Sequence, residues 1–121
     1  MQWEFTNDRA ISSQIVEIVQ KGVLSGVYPV GSALPSVRTL AVEAGVNPNT
    51  VQKALAELEA QGLVRTQRNS GRTVTDDERL IMKLKEQAAA GCVEQYFAQM
   101  RGLGFTRGDA ATMLNQHQEV N

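Results

Sequence analysis

Apolar positions recur at helical spacing along most of the chain, and each recurrence ends at a recognisable stop. In "ISSQIVEIVQKGVLSG" the residues Ile11, Ile15, Ile18, Val19 and Val23 share one helical face, and Gly26 is placed to end the helix. "VYPVGSALP" follows; its two prolines and glycine exclude helix and predict a turn leading into a short extended piece. "SVRTLAVEAG" puts Val37, Leu40, Ala41 and Ala44 at i, i+3, i+4 and i+7, a short amphipathic helix stopped by Gly45. A third helix opens at Asn47 and closes at Gly62. Its inward face is Val51, Ala54, Leu55 and Leu58, and its outward face is polar.

The pattern then changes. "LVRTQRNSGRTVT" holds two short runs rich in Val, Thr and Leu around "RNSG", which predicts a β-hairpin whose turn uses Asn69 and Gly71. From Asp76, "DDERLIMKLKEQAAAGCVEQYFAQMRGLG" is rich in helix formers and carries acids in its first turn, so one long helix is expected. Leu80, Ile81, Leu84 and Ala88 form a stripe that Cys92 or Val93, Tyr96, Phe97 and Met100 continue, and "AAAG" permits close backbone approach. Thr106 and Asp109 in "FTRGDAATMLNQ" predict an N-cap with an acid at N3, starting a last helix with Ala110, Met113 and Leu114 inside. The fold class expected is mainly α with a small β-hairpin, divided into residues 1–75 and 76–121.

At 121 residues the chain is long enough for a real core without staples. Cys92 has no partner within the chain and lies in a helical stretch, so a buried or half-buried thiol in a reducing compartment is expected. The opening "MQWEFTNDRA" is charged and lacks an apolar h-region, and no run approaches the ~20 apolar residues that span a bilayer. A cytoplasmic protein away from the membrane is the expectation. His117 is the only histidine and is read as a surface residue on the last helix. No Cys or carboxylate cluster has metal-ligand or triad spacing, so neither catalysis, nor a metal, nor a cofactor is expected.

Net charge is −1, which argues weakly against a nucleic-acid binder until its distribution is considered. Residues 34–75 carry five Lys or Arg against three acids, whereas residues 76–121 carry five against seven. The five are Arg38, Lys53, Arg65, Arg68 and Arg72, enough for a modest basic surface. Residues 36–62 follow the helix-turn-helix plan: a short helix, a turn of about three residues containing Gly45, and a second helix. Such a second helix fits the ~12 Å major groove with its first residues at base edges. Asn49, Thr50, Gln52 and Lys53 fall there, aimed by Asn47 and Pro48, which set where the helix begins. Asn and Gln can bond adenine in two places, a Thr methyl can meet thymine, and Lys can reach guanine or phosphate. The hairpin brings Arg65, Arg68 and Arg72 on or beside a tip that suits a wing following the DNA backbone. The alternative is a winged helix that serves as a protein-interaction module without binding DNA. A steep loss of duplex affinity with salt discriminates the two.

"GSALPSVRTLAVEAGVNPNTVQKALAELEAQGLV" resembles the winged helix-turn-helix of the GntR transcriptional regulators, whose pattern runs Leu-Pro-Ser, an Arg, Leu-Ala, then Val-Asn-Pro-Asn-Thr-Val. The resemblance spans the first helix through Thr75. It implies that Arg38 contacts double-stranded DNA together with the opening residues of the recognition helix and the wing. The candidate DNA-binding set is therefore Ser36, Arg38, Asn47, Asn49, Thr50, Gln52, Lys53, Arg68, Asn69, Gly71 and Arg72. The wing departs from the family's Arg-Gly-x-Gly-Thr-Phe-Val run: Asn69 replaces a glycine, whose left-handed conformation Asn can adopt at some cost, and Thr73 replaces the aromatic.

The tail of about 46 residues, and the opening "MQWEFTNDRAISSQI", further resemble the YtrA subfamily, in which two helices replace a large effector domain. This implies a repressor at a pseudo-palindromic operator bounded by GT and AC, commonly of a transporter operon that includes its own gene. A two-fold site calls for a homodimer, and the tail helices have little else to bury against. The expected seam is Leu80, Ile81, Leu84, Ala88, Cys92, Tyr96, Phe97 and Met100, with Trp3 and Phe5 at its base. A dimer cleft is left open as the place for an unidentified small-molecule effector.

Overall fold

A computed structural model describes residues 2–68 and 71–117. The elements run α1 (Ile11–Leu24), α2 (Val37–Ala44), α3 (Pro48–Ala60), β1 (Val64–Gln67), β2 (Gly71–Val74), α4 (Glu78–Gly102) and α5 (Arg107–Gln116). Mainly α with one hairpin is thus the fold class observed. The chain divides into two compact units, Met1–Leu84 and Lys85–Asn121.

In the first unit α2 and α3 each start where a side chain satisfies a free backbone amide. Ser36 Oγ accepts from the Thr39 amide at 3.0 Å to open α2, and Asn47 Oδ1 accepts from the Asn49 amide at 2.8 Å to open α3, with Pro48 in its first turn needing no donor. Gly45 ends α2 at φ +69°, a conformation that costs a β-carbon-bearing residue energy. Three residues therefore separate the two helices. The apolar faces meet in one core: Ile15, Val19 and Val23 of α1, Leu40 and Ala41 of α2, and Val51, Ala54, Leu55 and Leu58 of α3, closed by Leu34, Leu63, Val64 and Val74.

The strands pair antiparallel in the register Val64↔Val74, Arg65↔Thr73, Thr66↔Arg72 and Gln67↔Gly71, leaving residues 68–70 as the connection. Gly71 enters β2 at φ +74°. Asn69, named above for the turn, lies outside the described residues. The extended piece after α1 joins the outer edge of β2: the Leu34 amide donates to the Arg72 carbonyl at 2.9 Å and the Val74 amide to the Ser32 carbonyl at 2.8 Å, around an Ala33↔Thr73 bridge. Backbone bonds thus clamp the wing's far edge.

Four side chains assigned above to a subunit seam pack, partly buried, on this core: Trp3, Phe5, Ile81 and Leu84. The first two turns of α4 therefore belong to the first unit, which extends past Thr75. Trp3 and Phe5 sit on a strap that returns along α1, their ring centroids 6.5 Å apart. Gln14, almost fully buried, holds the strap: its Oε1 accepts from the Thr6 amide at 2.8 Å, and its Nε2 donates to the carbonyls of Thr6 and Arg9, each at 3.0 Å. Removing a buried partner leaves those backbone groups unsatisfied, at about 1–3 kcal/mol. Gln14→Ala is expected to lower unfolding stability by that amount in urea and to expose Trp3 to solvent, seen as a red shift of its fluorescence. Unchanged stability with an unchanged spectrum would refute the role given to Gln14.

The second unit holds the rest of α4 and α5. The Thr106 hydroxyl accepts from the Asp109 amide at 3.1 Å while Asp109 Oδ2 accepts from the Thr106 amide at 3.3 Å, the reciprocal cap expected from their spacing. Tyr96 donates its hydroxyl to the Ala110 carbonyl at 2.7 Å, and the Arg107 guanidinium lies 4.1 Å over the Phe97 ring while pairing with Glu94 at 3.0 Å. That pairing holds the Glu94 carboxyl below the usual range, chiefly through its hydrogen bond to Arg107. Ala110 is buried, as expected, but Met113 and Leu114 are exposed. Cys92 is likewise exposed, against the expectation of a buried thiol. The reason is the same for all three: two helices can cover only the faces they turn to each other.

Candidate nucleic-acid interface

The buried stripe of α3 leaves Asn49, Gln52 and Lys53 exposed on the opposite side and Thr50 half-buried at its edge. Because the Asn47 side chain and Pro48 settle the first turn, these residues leave the helix from a defined end. Asn47 itself is committed to the cap through its Oδ1. Ser36 is committed as well, accepting from the Thr39 amide and donating to Thr39 Oγ1 at 2.9 Å. Both act first by aiming a helix. Arg38, in the first turn of α2, is exposed.

Ser36 shares a cleft of about 310 Å³ with Leu34, Pro35, Val37, Gly71 and Arg72, which brings the start of α2 and the base of the wing together. Arg72 is half-buried there, and its Nε is buried with no hydrogen-bond partner among the described residues. An unsatisfied guanidinium donor beside a serine and a helix start suits an anionic oxygen. Arg68 is exposed at the hairpin tip.

Ion pairs among the described residues are few and exposed, and they leave the candidate cations unpaired, as they do Lys21, Arg79, Lys83, Lys85 and Arg101. Arg9 pairs with Glu17, Arg65 with Asp76 and Arg107 with Glu94, whereas among the described residues no carboxylate lies within salt-bridge range of Arg38, Lys53, Arg68 or Arg72. Arg65, counted above on or beside the tip, sits two pairs back in the register and pairs with Asp76 at 3.1 Å. The sequence reading also missed Glu59, near the end of α3. Its Oε1 accepts from the Thr66 amide at 3.0 Å and from the Thr66 hydroxyl at 2.5 Å, and the hydroxyl bond holds the carboxyl below its usual range. The available signal was an acid in the last turn of a helix, where the dipole disfavours it.

Among the described residues no cluster of His, Cys, Asp or Glu is arranged to hold a metal ion, and no helix is long and apolar enough to cross a membrane. The pattern of the bacterial regulatory proteins of the gntR family matches residues 11–74, from the start of α1 to the end of β2. The chain belongs to the GntR family. It is a transcriptional regulator of that DNA-binding, helix-turn-helix class. The Bacillus subtilis (strain 168) protein YhcF, an uncharacterized HTH-type transcriptional regulator, is 33% identical to it over 108 residues, 88% of either chain. The HTH-type transcriptional repressor YtrA of the same organism is 33% identical over 94 residues, 73% of this chain and 72% of that one. A GntR family transcriptional regulator from Listeria monocytogenes superposes with a TM-score of 0.84 at 32% identity, covering 94% of this chain and all of that one. The GntR match thus takes in every element that carries a candidate contact, and the likeness to YhcF and the Listeria protein extends into the tail.

Proposed function

We propose that this GntR regulator is a dimeric repressor that occupies a pseudo-palindromic operator, each subunit presenting α3 to the major groove of one half-site and its wing to the flanking backbone. What carries the reading is the α3 start, aimed by Asn47 and Pro48 and bordered by cations that form no salt bridge among the described residues, at Arg38, Lys53, Arg68 and Arg72. Asn49, Thr50, Gln52 and Lys53 read base edges; Arg38, Arg68 and Arg72 bind phosphates and fix register. Repression follows from occupying a promoter, and the named activity of YtrA supports it.

The second unit supports the dimer. Leu103 is 73% exposed and Leu114 53%, with Val93, Phe105 and Met113 also open to solvent, so these two helices leave apolar surface that a second copy would cover. Ala88, Cys92, Tyr96, Phe97 and Met100 remain the proposed seam within this unit. Duplexes selected by the chain from a random-sequence library are expected to carry inverted half-sites about one helical turn apart, and the chain to sediment as a dimer. Val93→Asp combined with Leu114→Asp is expected to give a monomer that binds the two-half-site duplex at least tenfold more weakly. Selection of lone half-sites by a monomeric wild type would sink the dimer, and a reporter behind the selected site that is not lowered by the chain would sink repression.

A further inference from the structure

Glu59 is oddly placed for a protein that binds a polyanion. It stands in the last turn of the recognition helix, where the helix dipole disfavours a carboxylate, and a negative charge near the wing repels phosphate. Two hydrogen bonds account for it. Oε1 accepts from both the backbone amide and the hydroxyl of Thr66, at 3.0 and 2.5 Å. Thr66 lies in β1 directly opposite Arg72 of β2. Its amide points off the free edge of the hairpin, where a lone strand otherwise leaves its donors to solvent. The other edge is already held by the backbone bonds to Ser32 and Leu34.

We infer that Glu59 is a positioning residue for DNA binding: it ties the wing to the recognition helix, so that Arg68 and Arg72 reach the backbone in the same register in which α3 enters the groove. Beyond its base, where Val64 and Val74 are packed in the core, a hairpin clamped on one edge alone can pivot about it. The bond from Glu59 closes the second edge at the strand pair that carries Arg72, so the angle between helix and wing becomes a single value. The negative charge is retained because a carboxylate oxygen accepts from two donors at once more strongly than a neutral group. Glu59 is exposed, which leaves the core out of its role.

This inference rests on the reading that α3 and the wing bind duplex together. The test uses the full chain and a fluorescent duplex selected by the wild type from a random library, with affinity measured across a salt series. Glu59→Ala is expected to weaken binding about tenfold and to flatten the salt dependence by about one to two counterions, because the wing's arginines lose their phosphates while thermal unfolding stays unchanged. Glu59→Gln keeps an acceptor and is expected to restore most of the salt slope. Thr66→Val loses the hydroxyl bond but keeps the amide bond, so it is expected to weaken binding by less than Glu59→Ala, and to add nothing to it, since the two act through one tie. A Glu59→Ala protein with wild-type affinity and slope overturns the inference and leaves the DNA reading standing. A wild type that retains no duplex at any salt concentration overturns both.

Discussion

Arg38→Ala is expected to weaken binding of the selected duplex by roughly 10- to 100-fold, with a salt slope reduced by about one. Arg38 is exposed in the first turn of α2, and no acid among the described residues engages it, so its charge does not support the fold. Unfolding should accordingly move by no more than about 0.5 kcal/mol, the ordinary effect of a surface change. The two readouts together make the prediction discriminating. A contact to phosphate weakens all sequences alike and lowers the slope, whereas a contact to a base edge weakens the selected site and spares random duplex. Measuring both duplexes across a salt series assigns Arg38 to one class. Loss of affinity that follows loss of thermal stability would remove it from the interface.

Leu55→Ala is expected to have the largest effect on the fold, about 2–5 kcal/mol of unfolding free energy. Leu55 is 1% exposed and lies on the buried stripe of α3 between Val51 and Leu58, in a core to which α1, α2 and the wing all contribute. Truncation there leaves a cavity that three helices and a hairpin cannot close together, and for a domain of this size each kilocalorie per mole moves the midpoint by several degrees. Denaturant unfolding monitored by Trp3 checks it. Below the variant's own transition the duplex affinity should stay close to wild type, because Asn49, Gln52 and Lys53 keep their helix. A loss under about 1 kcal/mol would show that the site collapses and that α3 is not the keystone of the core.

The contrast between these two variants mirrors what was legible in the chain. The stripe Val51, Ala54, Leu55 and Leu58 and the caps at Asn47 and Thr106 were readable because each depends on residues within about one helical turn. The hairpin was readable for the same reason, its glycine and its Val and Thr runs lying side by side. Arg38, Asn49, Gln52 and Lys53 were legible as candidates because periodicity says which face is turned outward. Less visible was the fate of Leu80, Ile81 and Leu84. Their spacing is equally good for a seam between copies and for a core, and Ile81 and Leu84 went to the core because the first unit offers them an apolar surface. Trp3 and Phe5 followed, held by Gln14, a polar residue that no hydrophobic pattern singles out.

The sequence by itself determined the order of elements, the faces of the helices and the end of α3 that is aimed outward, since these arise from the period of the backbone and from caps that act over three or four residues. Only the tertiary structure decided that Arg65 pairs with Asp76 while Arg72 Nε is buried without a partner among the described residues, and that Glu59 holds Thr66. Each of those facts depends on where one element lies against another, and the distance between residues far apart along the chain, or in strands joined by a turn, is set by packing and not by local spacing.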